Sequence, residues 1–365
     1  MSHYLTYSLQ AIAEFMQLRD LRYMLAYIVP VCAALGLLWH GAWAWLTPVV
    51  VFGLVPLLEQ WVLPRLKPQP EEPATTSAAY AWVFDGLLYL NVPLQYGLLG
   101  WYLHTLSVQP LSPAELAGLT ASQGICCGVL GINVAHELGH RANRLEQLLA
   151  QTLLLSSLYL HFFIEHNRGH HRHVGTPLDS ATARFGESLY PFVLRSMWGG
   201  WRSAWQLEAT RLQRAAQPVW HPWHNQMLRF QLLQLLAVLG VGGALGWQAA
   251  VGFVAVAFLG GALLEAVNYV EHYGLQRREV RPGVYERVQP HHSWNAEQPL
   301  GRILLYELTR HSDHHYLASR PYHALRYQLS SPQMPAGYPT MLLLAMVPPL
   351  WHHVMDDRTR TYAVL

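Results

Sequence analysis

Long apolar runs, separated by short polar or glycine- and proline-bearing breaks, dominate the first two thirds of the chain. About 20 apolar residues cross a bilayer core. On that measure, spans are expected at 22–38, 42–63, 80–103, 113–135, 226–245 and 247–269. Residues before the first run are mixed and polar, and no small-residue cleavage site follows it, so it reads as a retained span. Residues 66–79, with three prolines and two glutamates, read as a polar linker.

Three further stretches break this pattern. Residues 145–164 are apolar enough to cross, yet His140 and His166 bracket them. If both flanks serve one site, the segment begins and ends on the same side, so it should be buried or dip without crossing. Within 195–214, Trp198, Trp201, Trp205 and Leu212 share a helical face, which predicts a helix lying in the interface. Residues 341–351 are too short to span and contain Pro348 and Pro349.

Composition supports the membrane reading. Charged residues make up 13% of the 365, about half the usual share of a soluble protein. Cys32, Cys126 and Cys127 all lie in apolar runs with no CxxC, which argues against a disulfide framework or a thiolate metal site. Arg19 and Arg22, Arg65 and Lys67, and Arg141 and Arg144 sit at alternate span ends, while the turns between carry no Lys or Arg. The positive-inside rule then predicts six crossings with both termini cytoplasmic. The expected architecture is an all-α integral membrane protein, one domain over 1–365, with a cytoplasmic helical cap from 136–225 and 270–365. No nucleic-acid partner is expected.

The candidate chemistry is histidine. Four groups stand at or beyond apolar ends: His136 and His140; His166, His170 and His171; His272; and His311, His314 and His315. Residues four apart share a helix face, so His136 with His140, and His166 with His170, can each grip one ion. His171, about 100° further round, can reach a second, and the 311–315 group has the same property. Nine imidazoles exceed one metal's capacity, so two ions are implied. Imidazole suits iron, zinc and copper alike. Carboxylates are expected behind the rings, from among Glu137, Glu165, Asp179, Glu265, Glu271 and Asp313. Glu265 and Asn268, on the face of His272, are the first choices, and Glu265 is also a candidate for proton delivery.

His-Glu-Leu-Gly-His, Glu-His-Asn-Arg-Gly-His-His, Asn-Tyr-Val-Glu-His-Tyr-Gly-Leu and Arg-His-Ser-Asp-His-His resemble, in order and spacing, the boxes of the membrane alkane monooxygenases, the alkane omega-hydroxylases. Pro290-His291-His292-Ser293-Trp294-Asn295 also looks like that family. The resemblance implies a non-haem di-iron enzyme that uses O₂ to hydroxylate the terminal methyl of medium-chain n-alkanes. It implies His136, His140, His166, His170, His171, His272, His311, His314 and His315 as iron ligands, and an inner-membrane location. It also implies electrons from a separate rubredoxin, fed by an NAD(P)H-dependent reductase. Arg184, Arg277, Arg278, Arg281, Arg310, Arg320 and Arg326 are expected to form a basic face that suits an acidic donor. Val51, Phe52 and Leu88 are expected tunnel walls.

Other readings remain open at this stage. A xylene-type methyl hydroxylase or a fatty-acyl desaturase would use similar boxes. His136-Glu137-Leu138-Gly139-His140 is also a full HExxH, which suggests an intramembrane zinc protease with Glu137 as base. A metal transporter would line a pore with its histidines.

Overall fold

In the computed structural model, residues 18–63 and 81–363 are described; the expected linker at 66–79 lies outside them. Fourteen helices and one short hairpin order the described chain. They are α1 (Leu21–Trp39), α2 (Gly41–Val62), α3 (Ala81–Tyr89), α4 (Asn91–Val108), α5 (Pro113–Gly139) and α6 (Arg144–Ser156). Next come α7 (162–173), α8 (Leu189–Arg214), α9 (Gln226–Leu245) and α10 (Trp247–His272). A hairpin of β1 (Glu279–Arg281) and β2 (Val284–Tyr285) precedes α11 (Pro299–Leu304), α12 (His311–Tyr316), α13 (Tyr338–Ala345) and α14 (Pro348–Ala363).

Five helices, α1, α2, α5, α9 and α10, are each long and apolar enough to cross a membrane. The chain is a multi-pass membrane protein. The expected third span is divided at Leu90 into α3 and α4. Pro93 supplies a reason, because it has no N–H to return to the carbonyl of Tyr89.

Burial separates the spans by position. The apolar window of α5 is 83% buried and that of α9 only 6%, so α5 is central and α9 peripheral. Leu232, Leu235, Leu236 and Leu239 of α9 are all exposed. A helix that is apolar all round and uncovered by protein fits contact with lipid. The start of α5 is set by Ser112, whose Oγ accepts from the Glu115 N–H while Glu115 accepts from the Ser112 N–H. Such a capping box contributes about 1 kcal/mol. α5 then packs on α10 at small residues: a Cβ on Gly260 would lie 2.6 Å from Cys127 Cβ. Close backbone approach is what holds helices together where lipid removes the hydrophobic drive. All three cysteines are buried and free, as their apolar settings suggest.

The segment after His140 behaves as its bracketing histidines require. Asn143 caps α6, which runs for 13 residues, about 20 Å. It ends at Ser156, and Leu158, two residues on, has a positive φ of 49°. Residues 159–161 lead back into α7, where His166 Nε2 stands 3.0 Å from His140 Nε2. The excursion therefore returns to its starting point.

α8 is longer than expected, and its tryptophans do not all face outward. Trp198 is exposed, whereas Trp201 and Trp205 pack against the core beside α6 and α7. Core packing claims these two because α8 turns its narrow stripe, including Ser196, Gly200 and Ala204, toward the site. α13 packs against α10 through Met341, Leu342 and Ala345, without crossing. From α2, the Glu59 carboxylate accepts the Gly301 N–H at 2.7 Å and so tethers α11 to the spans.

Candidate metal centre

The ends of α5 and α10 meet α7 and α12, and all nine histidines converge there. They form two groups: His136, His140, His166, His171 and His314, and His170, His272, His311 and His315. In the first, Nε2 of His136 lies 2.8 Å from that of His314, with His166 3.0 Å from His140 and His171. In the second, His272–His311, His311–His315 and His170–His315 approach to 3.1, 2.9 and 3.2 Å.

These contacts suit a shared cation better than a hydrogen-bond network. A neutral imidazole has one N–H, and Nδ1 of His170 already faces Asp179 Oδ2 at 3.0 Å. His166 Nε2 alone meets two other Nε2 atoms. Two nitrogens that bind one ion at ~2.0–2.1 Å lie about 2.9–3.4 Å apart for angles of 90–109°. The residues present therefore fit two metal ions.

His166 and His170, expected from their spacing to share an ion, fall in different groups: His166 lies with His171, and His170 belongs to the other set. Residues 166–170 form a π-helical turn, whose wider winding brings i and i+5 onto one face. The α-helical pairs His136–His140 and His311–His315 do share a group. Packing against α8 accompanies the π turn: a Cβ on Gly169 would stand 2.6 Å from Glu165 Oε1 and 3.2 Å from Ser203 Oγ.

The site favours neutral rings. Burial, reinforced for several rings by neighbouring imidazoles, pushes His166, His171, His311, His314 and His315 well below their usual pKa. His140 is pushed down to about 3, by burial first. His170 is the exception. Burial opposes its charge, but Asp179, Glu165 and Glu271 outweigh it and push it up to about 9. Burial and nearby Asp179 push the Glu165 carboxyl up to about 8.

Two carboxylates touch ring nitrogens, Asp179 on His170 and Glu271, whose Oε2 lies 3.2 Å from His311 Nε2. Thr182 donates to Asp179, and Tyr338 donates to Glu271. Glu265 and Asn268 lie elsewhere: Tyr159, Ser196 and Asn268 donate to the Glu265 carboxylate. Asp313 accepts from Arg320, Gln328 and the Arg326 N–H, which anchors the turn that carries His314 and His315. The i+4 and i+7 logic favoured Glu265, whereas Asp179 reaches His170 through a loop that spacing does not describe.

The Glu137 carboxylate is engaged by Arg141 and the Tyr322 N–H, both of which donate to it. That is not the placement of a zinc-protease base. A small void of ≈ 10 Å³ adjoins the five-histidine group; Leu88, Leu305, Leu308 and Leu325 line it together with Asn133, Glu137 and Tyr306, beside His136 and His314. Val51 and Phe52, in contrast, pack in the neighbouring apolar clusters. His161 and His323 are buried outside both groups, and His323 stacks on Phe84.

The fatty acid desaturase family model matches residues 113–344, from α5 through α13. Alkane 1-monooxygenase 2 of Pseudomonas aeruginosa is 42% identical over 90% of this chain and 87% of its own length. Alkane 1-monooxygenase of Ectopseudomonas oleovorans is 35% identical over 97% and 89%. The xylene/toluene monooxygenase hydroxylase component of Pseudomonas putida is 32% identical over 91% and 86%. Helical spans with paired imidazole groups at their ends define the class of desaturase-like membrane proteins. Within that class, the chain belongs to the alkane 1-monooxygenase family.

Proposed function

We propose that the chain hydroxylates the terminal methyl of medium-chain n-alkanes to primary alcohols. It uses O₂ and two non-haem irons, with electrons from a rubredoxin that an NAD(P)H-dependent reductase regenerates. In this reading the site faces the cytoplasm, both termini are cytoplasmic, and six spans lie in the inner membrane, α3 and α4 together making the third. The observation that carries it is the void that meets the five-histidine group at His136 and His314, with four leucines on its wall beside Asn133, Glu137 and Tyr306. An alkane has no polar handle, so shape and apolar contact alone can aim its methyl at such a site.

The nine histidines would hold the irons, and Asp179 and Glu271 would offset part of their charge. Irons bound there supply the redox chemistry that lets O₂ attack an unactivated C–H bond. The residues around them position the substrate and exclude water. A void of ≈ 10 Å³ is at the lower limit for one water, so the leucines must move aside for a methyl group. Relative to lipid, each CH₂ gains little on entering, and chain length would be selected by blocking side chains. Glu265, in its polar network behind the rings, is proposed to relay protons.

The test is product analysis of purified protein with rubredoxin, its reductase and NADH, offered octane, toluene or a hexadecanoyl thioester. 1-Octanol as the main product supports the reading. Benzyl alcohol as the main product favours the xylene-type alternative, which the 32% identical relative motivates. An unsaturated thioester would indicate a desaturase.

A further inference from the structure

Two polar side chains among the spans have hydrogen-bonding capacity that no described residue meets. His161, just before α7, is 7% exposed. Its ring packs on that of Tyr159 at 4.3 Å, and neither ring nitrogen has a hydrogen-bond partner among the described residues. Gln234 of α9 accepts the Leu160 N–H through Oε1 at 2.8 Å, while its Nε2 donates to none of them.

Both side chains line one cavity of ≈ 410 Å³ between α8, α9 and α10, a volume typical of small-molecule sites, which span about 300–1,000 Å³. Most of the remaining wall is apolar, with Leu194, Met197, Val254 and Phe258 beside the indoles of Trp198 and Trp201. Ser157 and Tyr159 also reach it, but the Ser157 hydroxyl donates to the Cys127 carbonyl and the Tyr159 hydroxyl to Glu265. Leu194, Trp198, Val254 and Phe258 are exposed, so the mouth opens outward from the protein. Phe258 stands near the middle of the span α10, which puts this mouth at hydrocarbon depth.

The unmet groups narrow the choice of occupant. A lipid acyl chain or an n-alkane would fill the apolar walls and leave both polar side chains unpaired, which is costly in hydrocarbon. A water would leave the apolar remainder empty. A carboxylate would bring a charge to a cavity that no Lys or Arg lines. A neutral imidazole offers one donor and one acceptor, and a hydroxyl group is also both. A hydroxyl here can donate to a ring nitrogen of His161 and accept from Gln234 Nε2, while its hydrocarbon tail lies along Met197, Val254 and Phe258.

The cavity adjoins the metal centre. Phe162, next in sequence to His161, stacks on His166 at 4.6 Å and stands 6.3 Å from the ring of His136. On its other side Tyr159 lies 6.3 Å away. These two aromatic rings separate the cavity from the five-histidine group.

We propose that this cavity binds an aliphatic primary alcohol, with the hydroxyl on His161 and Gln234 and the tail toward lipid. It takes alcohol in preference to alkane, and so receives product rather than substrate. Calling the alcohol a product rests on the hydroxylase reading above, but binding can be measured without turnover.

The experiment uses the iron-loaded full chain in lipid nanodiscs and a 1-decanol probe with a diazirine on its tail. Photolabelling of residues 194–201 and 254–258, read by peptide mass spectrometry, should saturate. It should be displaced by 1-octanol but not by octane at the same membrane concentration. His161→Phe keeps a ring and removes the hydrogen bonds, so labelling should fall about tenfold at unchanged iron content. His161→Gln, which retains a donor and an acceptor, should keep most of it. Equal displacement by octane overturns the proposal and makes the cavity an apolar gap. Labelling of His161→Phe at wild-type strength overturns it too. If His161→Phe loses iron, Gln234→Leu decides: reduced labelling supports the site, and wild-type labelling overturns it. Alcohol labelling without octane hydroxylation would sink the alkane reading and leave this site standing. Formation of 1-octanol without any labelling would sink the site alone.

Discussion

His170 faces Asp179 with one ring nitrogen and His315 with the other, at 3.0 and 3.2 Å. The carboxylate is itself held by Thr182 and the Ala181 N–H. Burial alone would raise Asp179, yet His170 and the Thr182 hydroxyl hold it below its usual value. Asp179 thereby fixes which nitrogen of His170 carries the proton and which is left for a metal. Asp179→Asn should weaken iron binding at the four-histidine group by ~10–100-fold. Titration with a competing chelator would show one tight and one weakened iron. Equal, unchanged affinities would remove Asp179 from this role.

Gly169 sits inside the π turn, against Glu165, Ser203 and Leu207. Gly169→Ala should push α7 from α8 and disturb both groups, because His166 and His171 flank His170 on the same turn. The expected result is loss of at least half the bound iron from protein that still inserts in membranes. Full iron content in the alanine variant would show that α7 has slack.

Leu88 lines the void beside His136 and His314 and is fully buried. Leu88→Phe overfills it, at a stability cost of about 1–3 kcal/mol. Octane turnover should fall at least tenfold while iron content stays at the wild-type value. If turnover survives, the methyl group approaches from another side.

Glu307 binds the cap together. Arg302 and Arg22 pair with it, Arg310 stands 3.7 Å away, and the Tyr23 hydroxyl donates to it. Burial would raise its pKa, but the three arginines outweigh that and lower it. A carboxylate whose folded pKa is depressed stabilises the fold fully above its unfolded value, about 4.3. That contribution is lost as pH falls through the lower folded value. Glu307→Gln should therefore cost roughly 3–5 kcal/mol near neutral pH, and the gap in unfolding temperature should close in acid. A gap that is constant from pH 7 to 3 would contradict this.

Much of the site was legible because its imidazoles recur at helical spacing beside apolar ends, although twelve of the 21 histidines lie elsewhere. His136–His140 and His311–His315 pair as α-helical geometry requires. His166 and His170 part company because the π turn against α8 is a packing outcome, invisible to an i+4 rule. The carboxylates were the harder problem. Asp179 and Glu271 were among six candidates, but contacts made through a loop and across helices selected them over Glu265. In the spans, hydropathy located five helices, and the sixth was read through Leu90, where α3 ends and α4 begins. Trp201 and Trp205 were expected at the interface because periodicity shows a face but not what covers it.

The most direct test of the account is the metal content of purified protein, wild type and two variants, by elemental analysis. Two irons per chain are expected for the wild type. His136→Ala, in the five-histidine group, and His272→Ala, in the other, should each retain about one. A single zinc, or two irons in both variants, would contradict a pair of ions divided between these two sets of rings.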